Sequence, residues 1–366
     1  MKKYGLYVHI PFCRSKCYYC DFYSINNLEL LDSYINSIEK EIICFFNKFL
    51  ITNPQIVTLY IGGGTPSLLN ETQIENLFYI LIRHFDFKNL KEITIEFNPE
   101  SVTEFKLAEI KNLFFSLTKN IRLSLGVQSF NDKILKSIGR IHTIENVISA
   151  VKIFEKLGFC NYNFDLIFGL PGQKIKDVIQ DLEFTVKFNP THVSCYALTI
   201  EEGSYFYKCK YFPDEDLQAK MYEIIVDFLS KNNYNIYEIS NFAKSGYECL
   251  HNLNYWRRKE YIGIGTSSVS FLNKKRITNV SKVEEYINLN FKYEVENIPD
   301  EVALKEKIIL ALRTTKGLLI NKSIQRKYNT IIKKLIKEGK LKREDNYLII
   351  PSKYKFVANQ ILVEFI

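Results

Sequence analysis

"HIPFCRSKCYYCDFYS", residues 9–24, follows a short strand-like run and holds three cysteines within eight residues, spaced C-x3-C-x2-C. Thiolates so placed on one loop can converge on a metal centre. A closed zinc site needs four ligands, often from two separated pairs. The chain has no second C-x2-C, His9 is the only nearby imidazole, and Phe22 stands where a fourth cysteine would be looked for. An iron–sulfur cubane needs one ligand per iron, so three cysteines leave one iron open to an outside ligand. A structural zinc knuckle remains the alternative, disfavoured by its ligand count.

The frame around that loop is legible from periodicity. Strand-like runs at 4–10, 56–61, 92–97, 121–128, 162–169 and 192–199 alternate with helical patterns at 28–49, 71–84, 103–117, 131–137, 143–157, 174–188 and 215–232. Such alternation predicts βα units and a parallel sheet. Strands buried on both faces are expected to read as near-continuous apolar runs. In parallel α/β folds the chemistry gathers at the C-terminal ends of the strands. There lie the cysteines, "GGGTPS", "EFNPE", "GVQSF" and "DLIFGLPG", five strand-end motifs converging on one mouth.

Residues 234–273 break this rhythm and are rich in aromatics and glycine. From about 300 the pattern changes again. A helix at 301–313, two short helices at 321–326 and 328–339, and a hairpin around Glu344-Asp345-Asn346 resemble a winged helix. The net charge is +8, and residues 300–366 carry 15 lysines and arginines against 7 acidic residues, so the whole excess sits on this last segment. A solvated lysine-rich face explains it better than a phosphate-backbone surface, so nucleic acid is not the expected partner. We divide the chain into a barrel (1–233), an aromatic- and glycine-rich segment (234–299) and a basic module (300–366).

The chain has 366 residues, 46% of them apolar, which is normal for a protein that buries a core. No apolar run approaches the roughly 18 residues that span a bilayer. The N-terminus is too short in apolar residues for a signal peptide and lacks a cleavage site. A cytoplasmic protein is expected, with membrane contact peripheral at most. Its eight cysteines are then not a disulfide framework. Cys44, Cys160, Cys195 and Cys209 are expected to be small buried hydrophobes.

An open iron beside a glycine-rich loop suggests S-adenosylmethionine. Its amino and carboxylate groups can chelate iron, and one-electron reduction can cleave its S–C bond to a 5′-deoxyadenosyl radical. Gly62, Gly63 and Gly64 would let backbone approach the methionyl end. Glu96 and Asp165, at the ends of apolar strands, suit ribose hydroxyls or ammonium, although a carboxylate there more often caps a helix. Gln128 and Arg140 add an amide and a carboxylate-pairing cation. The cysteine spacing, with Tyr19 just before the third cysteine, resembles the radical SAM superfamily and its partial (β/α)6, TIM-like barrel.

A narrower resemblance follows. "YVHIPFCRSKCYYCDF", "YIGGGTPSLL", "GVQSFNDKILKSIGRIHT", "NFDLIFGLPGQ" and "YEISNFAKSGYECLHNLNYW" together resemble the HemW heme chaperones, relatives of the oxygen-independent coproporphyrinogen III oxidases, over roughly residues 4–270. The resemblance implies a [4Fe-4S] cluster on Cys13, Cys17 and Cys20. It implies an S-adenosylmethionine site lined by Tyr7, Tyr19, Gly63, Gly64, Thr65, Glu96, Gln128, Arg140 and Asp165, with Ala197 on the sixth strand as a further candidate. The oxidases carry a fourth cysteine at the position of Phe22 and a longer N-terminal segment, so both features favour the chaperones.

"HNLNYW" (251–256) matches the chaperones' H-N-x-x-Y-W signature, associated with heme. His251 could ligate heme iron, Tyr255 and Trp256 offer flat faces to a porphyrin, and Asn252 completes the motif. A plain core histidine among core aromatics is the alternative, and Cys249 is a thiolate alternative. The chain departs from the family at Val269, where a histidine is common. The expected function is heme binding and transfer to an acceptor hemoprotein, a respiratory enzyme at the membrane, with cluster and S-adenosylmethionine gating transfer or homodimer formation. No catalytic residue is assigned. The alternatives are oxidative decarboxylation of coproporphyrinogen III and, more remotely, nucleic-acid modification.

Overall fold

Strand β1 (Lys3–Ile10) runs straight into the cysteine loop and begins the expected strand–helix rhythm. The computed structural model describes residues 2–366. Then come α1 (Leu31–Phe49), β2 (Gln55–Gly63), α2 (Glu71–His84), β3 (Glu92–Phe97), α3 (Glu104–Phe114), β4 (Ile121–Gln128), α4 (Asp132–Ser137), α5 (Ile144–Lys156), β5 (Tyr162–Phe168), α6 (Ile175–Phe188) and β6 (His192–Ala197). The chain continues through α7 (Tyr205–Lys208), α8 (Glu215–Lys231), β7 (Asn235–Ile236), β8 (Asn241–Ala243), α9 (Leu250–Trp256), β9 (Tyr261–Ile264), β10 (Val269–Leu272), β11 (Lys275–Asn279), α10 (Val283–Ile287) and β12 (Tyr293–Asn297). It ends with α11 (Asp300–Arg313), β13 (Leu318–Leu319), α12 (Lys322–Lys337), β14 (Lys342–Glu344), β15 (Tyr347–Ile349) and α13 (Ala358–Leu362).

Strands β1 to β6 pair in chain order and in parallel, which is the partial (β/α)6 barrel. The sheet does not stop there. β9 adds in parallel to the free edge of β1, and β10, β11 and β12 follow antiparallel, while β8 and β7 extend the other edge beyond β6. Residues 234–297 therefore extend both edges of one sheet and share its core.

The strands are not the continuous apolar runs expected of them. They alternate. Leu59, Ile93, Leu123, Phe164 and Val193 are buried in the main core. Their neighbours Thr58, Glu92, Arg122, Asn163 and His192 are buried polar residues. The pairing register puts these polar residues on one face, with Thr58 beside Glu92 and Asn163 beside His192. They bond one another across the strands: Arg122 Nη2 lies 3.1 Å from His192 Nδ1, and that nitrogen lies 2.6 Å from Asn163 Oδ1. Buried polar groups are tolerated only when so paired. A sheet apolar outside and polar inside is half a barrel whose interior is built for polar contacts.

The last segment has its own core, where Ile308, Leu312, Ile324, Tyr328, Ile332, Leu335 and Leu348 meet. β13, β15 and β14 form a small antiparallel sheet beside it. Two short helices were expected at 321–326 and 328–339, but α12 is one continuous helix. Ile324, Tyr328, Ile332 and Leu335 recur every three or four residues on its buried face, and that packing carries the helix across the weak formers Asn329 and Thr330. Cys44, Cys160 and Cys209 are exposed, contrary to expectation, and only Cys195 of that group is buried. Cys44 falls on the solvent side of α1, and Cys160 and Cys209 follow helix ends. Among the described residues, no helix is long and apolar enough to cross a membrane.

Candidate functional site

The loop after β1 presents Cys13, Cys17 and Cys20 as free, half-buried thiols. It is closed on itself, since Cys13 N–H donates to Ile25 O at 2.9 Å and Ile25 N–H to Pro11 O at 2.8 Å. Burial raises the Cys20 thiol pKa, and the neighbouring Cys17 and Cys13 sulfurs push it the same way. The three thiols lie on this one closed loop. Among the described residues, no three groups close round a single ion. A cubane gives each thiolate its own iron and requires no such closure. The donor set fits an iron–sulfur cluster.

The strand ends meet this loop through a chain of hydrogen bonds. The Thr65 hydroxyl donates to Cys13 Sγ at 3.5 Å, and Asn98 Nδ2 donates to Thr65 Oγ1 at 3.2 Å. Arg140 Nη2 donates to Asn98 Oδ1 at 2.9 Å and to Gly126 O at 2.8 Å, while its Nη1 lies 3.6 Å from Cys17 Sγ. One guanidinium thus ties the ends of β3 and β4 to the cysteine loop. Arg140 Nε also reaches His142, whose pKa burial and that cation lower to about 3. Tyr19 packs against the cluster of Ile134 and Ile138 from α4 and its end, Leu198 just after β6 and Phe206 of α7. Asn98 and His142 were missed from the sequence. Asn98 stands within the strand-end motif "EFNPE", two residues after Glu96.

The glycine run lies hard against β1. Gly63 has φ +115°, a left-handed conformation that suits glycine. A Cβ on Gly64 would fall 2.6 Å from Phe12 O and 2.8 Å from Phe12 N, backbone atoms adjoining Cys13. We expect Gly64→Ala to displace the cysteine loop at a cost of about 1–3 kcal/mol. Iron and sulfide per chain after anaerobic reconstitution should fall well below wild type; full loading would show that the loop tolerates the methyl group.

Deeper in the barrel, Tyr60 OH donates to Glu96 Oε1 at 2.6 Å and Gly63 N–H to Glu96 Oε2 at 3.0 Å. Burial raises Glu96 to about 7, with Asp165 adding to the rise against those hydrogen bonds. Asp165 accepts from Ser124 at 3.0 Å and Asn163 at 2.9 Å. Gln128 ends β4 at φ +66°, after a register shift against β5, so its amide turns back towards Gly126. Ala197 is half-buried at the end of β6. Tyr7 on β1 bonds His9 Nδ1 through its hydroxyl at 2.8 Å.

Helix α9 carries the 251–256 motif below this layer. Glu92 holds its first turn, accepting from Leu250 N–H at 2.9 Å and His251 N–H at 3.0 Å. Both His251 ring nitrogens are engaged, with Thr58 Oγ1 at 2.9 Å and Tyr255 OH at 2.8 Å. Burial lowers its pKa to about 3, so it is neutral. Cys249 is buried, and burial pushes its thiol up to about 12. Asn252, Tyr255 and Trp256 border a hollow of about 340 Å3 with Glu238 and Arg313. Tyr255 also lines a cavity of about 550 Å3 between β1, the added strands and α11. Phe22, which stands where the oxidases carry a fourth cysteine, and Val269, where the chain departs from the family, both line that cavity.

The profile of the radical SAM superfamily matches residues 7–185. The chain is 35% identical to the heme chaperone HemW of Lactococcus lactis, over 100% of this chain and 98% of that protein. It is 32% identical to the heme chaperone HemW of Bacillus subtilis, over 98% of each. The solved structure of coproporphyrinogen III oxidase HemN from Escherichia coli, described as a radical SAM enzyme, superposes with a TM-score of 0.84 at 21% identity, over 100% of this chain and 90% of that one. At that identity the likeness is one of fold.

Proposed function

Because this chain belongs to the heme chaperone HemW family of the radical SAM superfamily, we propose that it binds heme and delivers it to an acceptor hemoprotein. The observation that carries this reading is the end-to-end similarity to heme chaperones. Phe22 supports it, since the oxidases' fourth cysteine is replaced by an exposed ring bordering a cavity.

The superfamily implies a [4Fe-4S] cluster and S-adenosylmethionine. Cys13, Cys17 and Cys20 would hold the cluster and leave its fourth iron to S-adenosylmethionine as an exchangeable ligand. When bound and reduced, the pair supplies one-electron chemistry. Thr65 and Arg140 would set the sulfur positions through the contacts described. Gly63 and Gly64 would bring backbone close to the methionyl end. Glu96 and Asp165, with Gln128, would offer polar groups inside the barrel. Tyr7, Tyr19 and Ala197 would complete the walls. In heme contact, Tyr255 faces the larger cavity while His251 stands behind it, so an iron bond to His251 would require release from Tyr255 and Thr58. Asn252 and Trp256 border the smaller hollow. The acceptor would be a respiratory enzyme reached from the cytoplasm, with at most peripheral membrane contact, and transfer would be gated by the cluster or by homodimer formation.

The test uses anaerobically reconstituted protein, given heme in one arm and coproporphyrinogen III with S-adenosylmethionine, a one-electron reductant and an electron acceptor in the other. Stoichiometric heme binding without protoporphyrinogen is the expected result. Catalytic formation of that product would replace this reading with the oxidase.

A further inference from the structure

The cavity of about 550 Å3 is large enough for a cofactor-sized ligand. Its walls are aromatic. Tyr255 and Tyr261 meet at 4.6 Å between ring centroids, Tyr261 and Phe271 at 6.4 Å, and Phe22 closes one side. Its lining carries Arg258, Lys259 and Arg276 against one carboxylate, Glu306. That leaves a surplus of two positive charges on a wall of flat apolar rings. Such a combination suits a flat, apolar dianion, and iron porphyrin with its two propionates has that chemistry. The smaller hollow lacks this balance, because its single cation, Arg313, faces Glu238.

Arg258 shows that the cationic end is built for a ligand. It sits just past α9 at φ +52°, a position where helices usually end on glycine. Its guanidinium carbon lies 4.5 Å from the Phe271 ring centroid, which fixes the plane of the group. Its Nε donates to Glu306 Oε2 at 2.8 Å, while its Nη2 is buried without any partner. An unpaired buried guanidinium nitrogen is costly unless something else binds it. Glu306 Oε1 in turn accepts from Arg276 Nη2 at 2.5 Å. Arg276 also reaches Glu296 at 2.6 Å on the solvent side. The α11 carboxylate thus occupies the place between two arginines where a ligand carboxylate would bind.

We propose, resting on the heme-chaperone reading, that this cavity is the heme site and that Arg258 and Arg276 receive the heme propionates, with Glu306 holding their place in the heme-free protein. Propionate displaces Glu306, so heme entry loosens α11 from the barrel and couples loading to the C-terminal module.

Full-length wild type, Arg258→Met and Glu306→Gln are titrated with hemin and with hemin dimethyl ester, following the absorbance of the bound porphyrin. Hemin binds wild type, Arg258→Met weakens it by at least about tenfold, and Glu306→Gln tightens it. The ester, which lacks both carboxylates, binds wild type more weakly than hemin does and at least as weakly as hemin binds Arg258→Met, and the hemin-against-ester comparison stands on wild type alone. If hemin and ester bind wild type equally, the propionate site is elsewhere and the proposal falls while the chaperone reading stands. If hemin does not bind wild type, the chaperone reading falls and this proposal with it.

Discussion

Cys17→Ser is expected to give a folded protein that cannot hold its cluster. A serine hydroxyl does not ionise to a ligand comparable with thiolate near neutral pH, and the remaining Cys13 and Cys20 would leave two irons unheld. The damage extends to Arg140, whose Nη1 loses the sulfur it faces at 3.6 Å. Stability of the cluster-free chain should hardly change, because Cys17 is half-buried on a loop. The expected readout is loss of iron, sulfide and the broad absorbance near about 400 nm, with the denaturation midpoint of the cluster-free wild type. Cys249→Ser is the matching control. Its thiol is buried against Glu92 at 3.6 Å, remote from the loop, and cluster loading should survive its replacement. Wild-type iron content in Cys17→Ser would remove this residue from the ligand set.

The strand ends were legible because each motif there combines rare residues at a place that periodicity had already located. The cysteines after β1, the glycines at the end of β2 and Asp165 on β5 stand where periodicity puts the strand ends. The interior was harder. Thr58, Glu92, Arg122, Asn163 and His192 were hidden by the expectation of apolar strands, although "EITIEF" and "HVSCYA" do alternate polar with apolar. That period of two is the signal that would have found them. Half of the engagement of His251 had a signal, since Tyr255 stands four residues on along the same helix, where side chains meet; Thr58 comes from β2, and nothing local announces it. The cavity is likewise a product of topology. Its walls span β1 to α11, and only the addition of β9 to the edge of β1 brings them together. The sequence marks Phe22 as a difference from the oxidases and Val269 as a departure from the chaperones, but not that the two share one cavity.

Glu41→Ala is expected to lower stability on the order of 3–5 kcal/mol, through loss of the contact that fixes the added strands to the barrel. Glu41 lies on the apolar face of α1, among Ile38, Ile42 and Phe45, and is wholly buried. Its Oε2 accepts from Gly265 N–H at 2.7 Å and Tyr286 OH at 2.6 Å, and its Oε1 from Asn279 Nδ2 at 2.9 Å and Tyr293 OH at 3.4 Å. These donors belong to the β9–β10 turn, β11, α10 and β12, so one carboxylate of α1 ties the added strands to the barrel. Truncation leaves Gly265 N–H, Asn279 and Tyr286 buried without an acceptor, at about 1–3 kcal/mol for each that water does not reach. Burial raises Glu41 to about 7 against these hydrogen bonds. Between about pH 4.5 and 7 the folded chain therefore keeps a proton that the unfolded chain has released, and this contribution to stability falls as pH rises. The alanine variant lacks it. Glu96 and Asp181 are raised the same way but are present in both proteins and cancel. The gap between wild type and Glu41→Ala, measured by denaturant unfolding, should thus be widest at or below about pH 4.5 and narrow by on the order of 1–3 kcal/mol by pH 8. A gap that widened with pH would mean that Glu41 is held ionised by its four donors, and an absent gap would mean that the added strands do not depend on it.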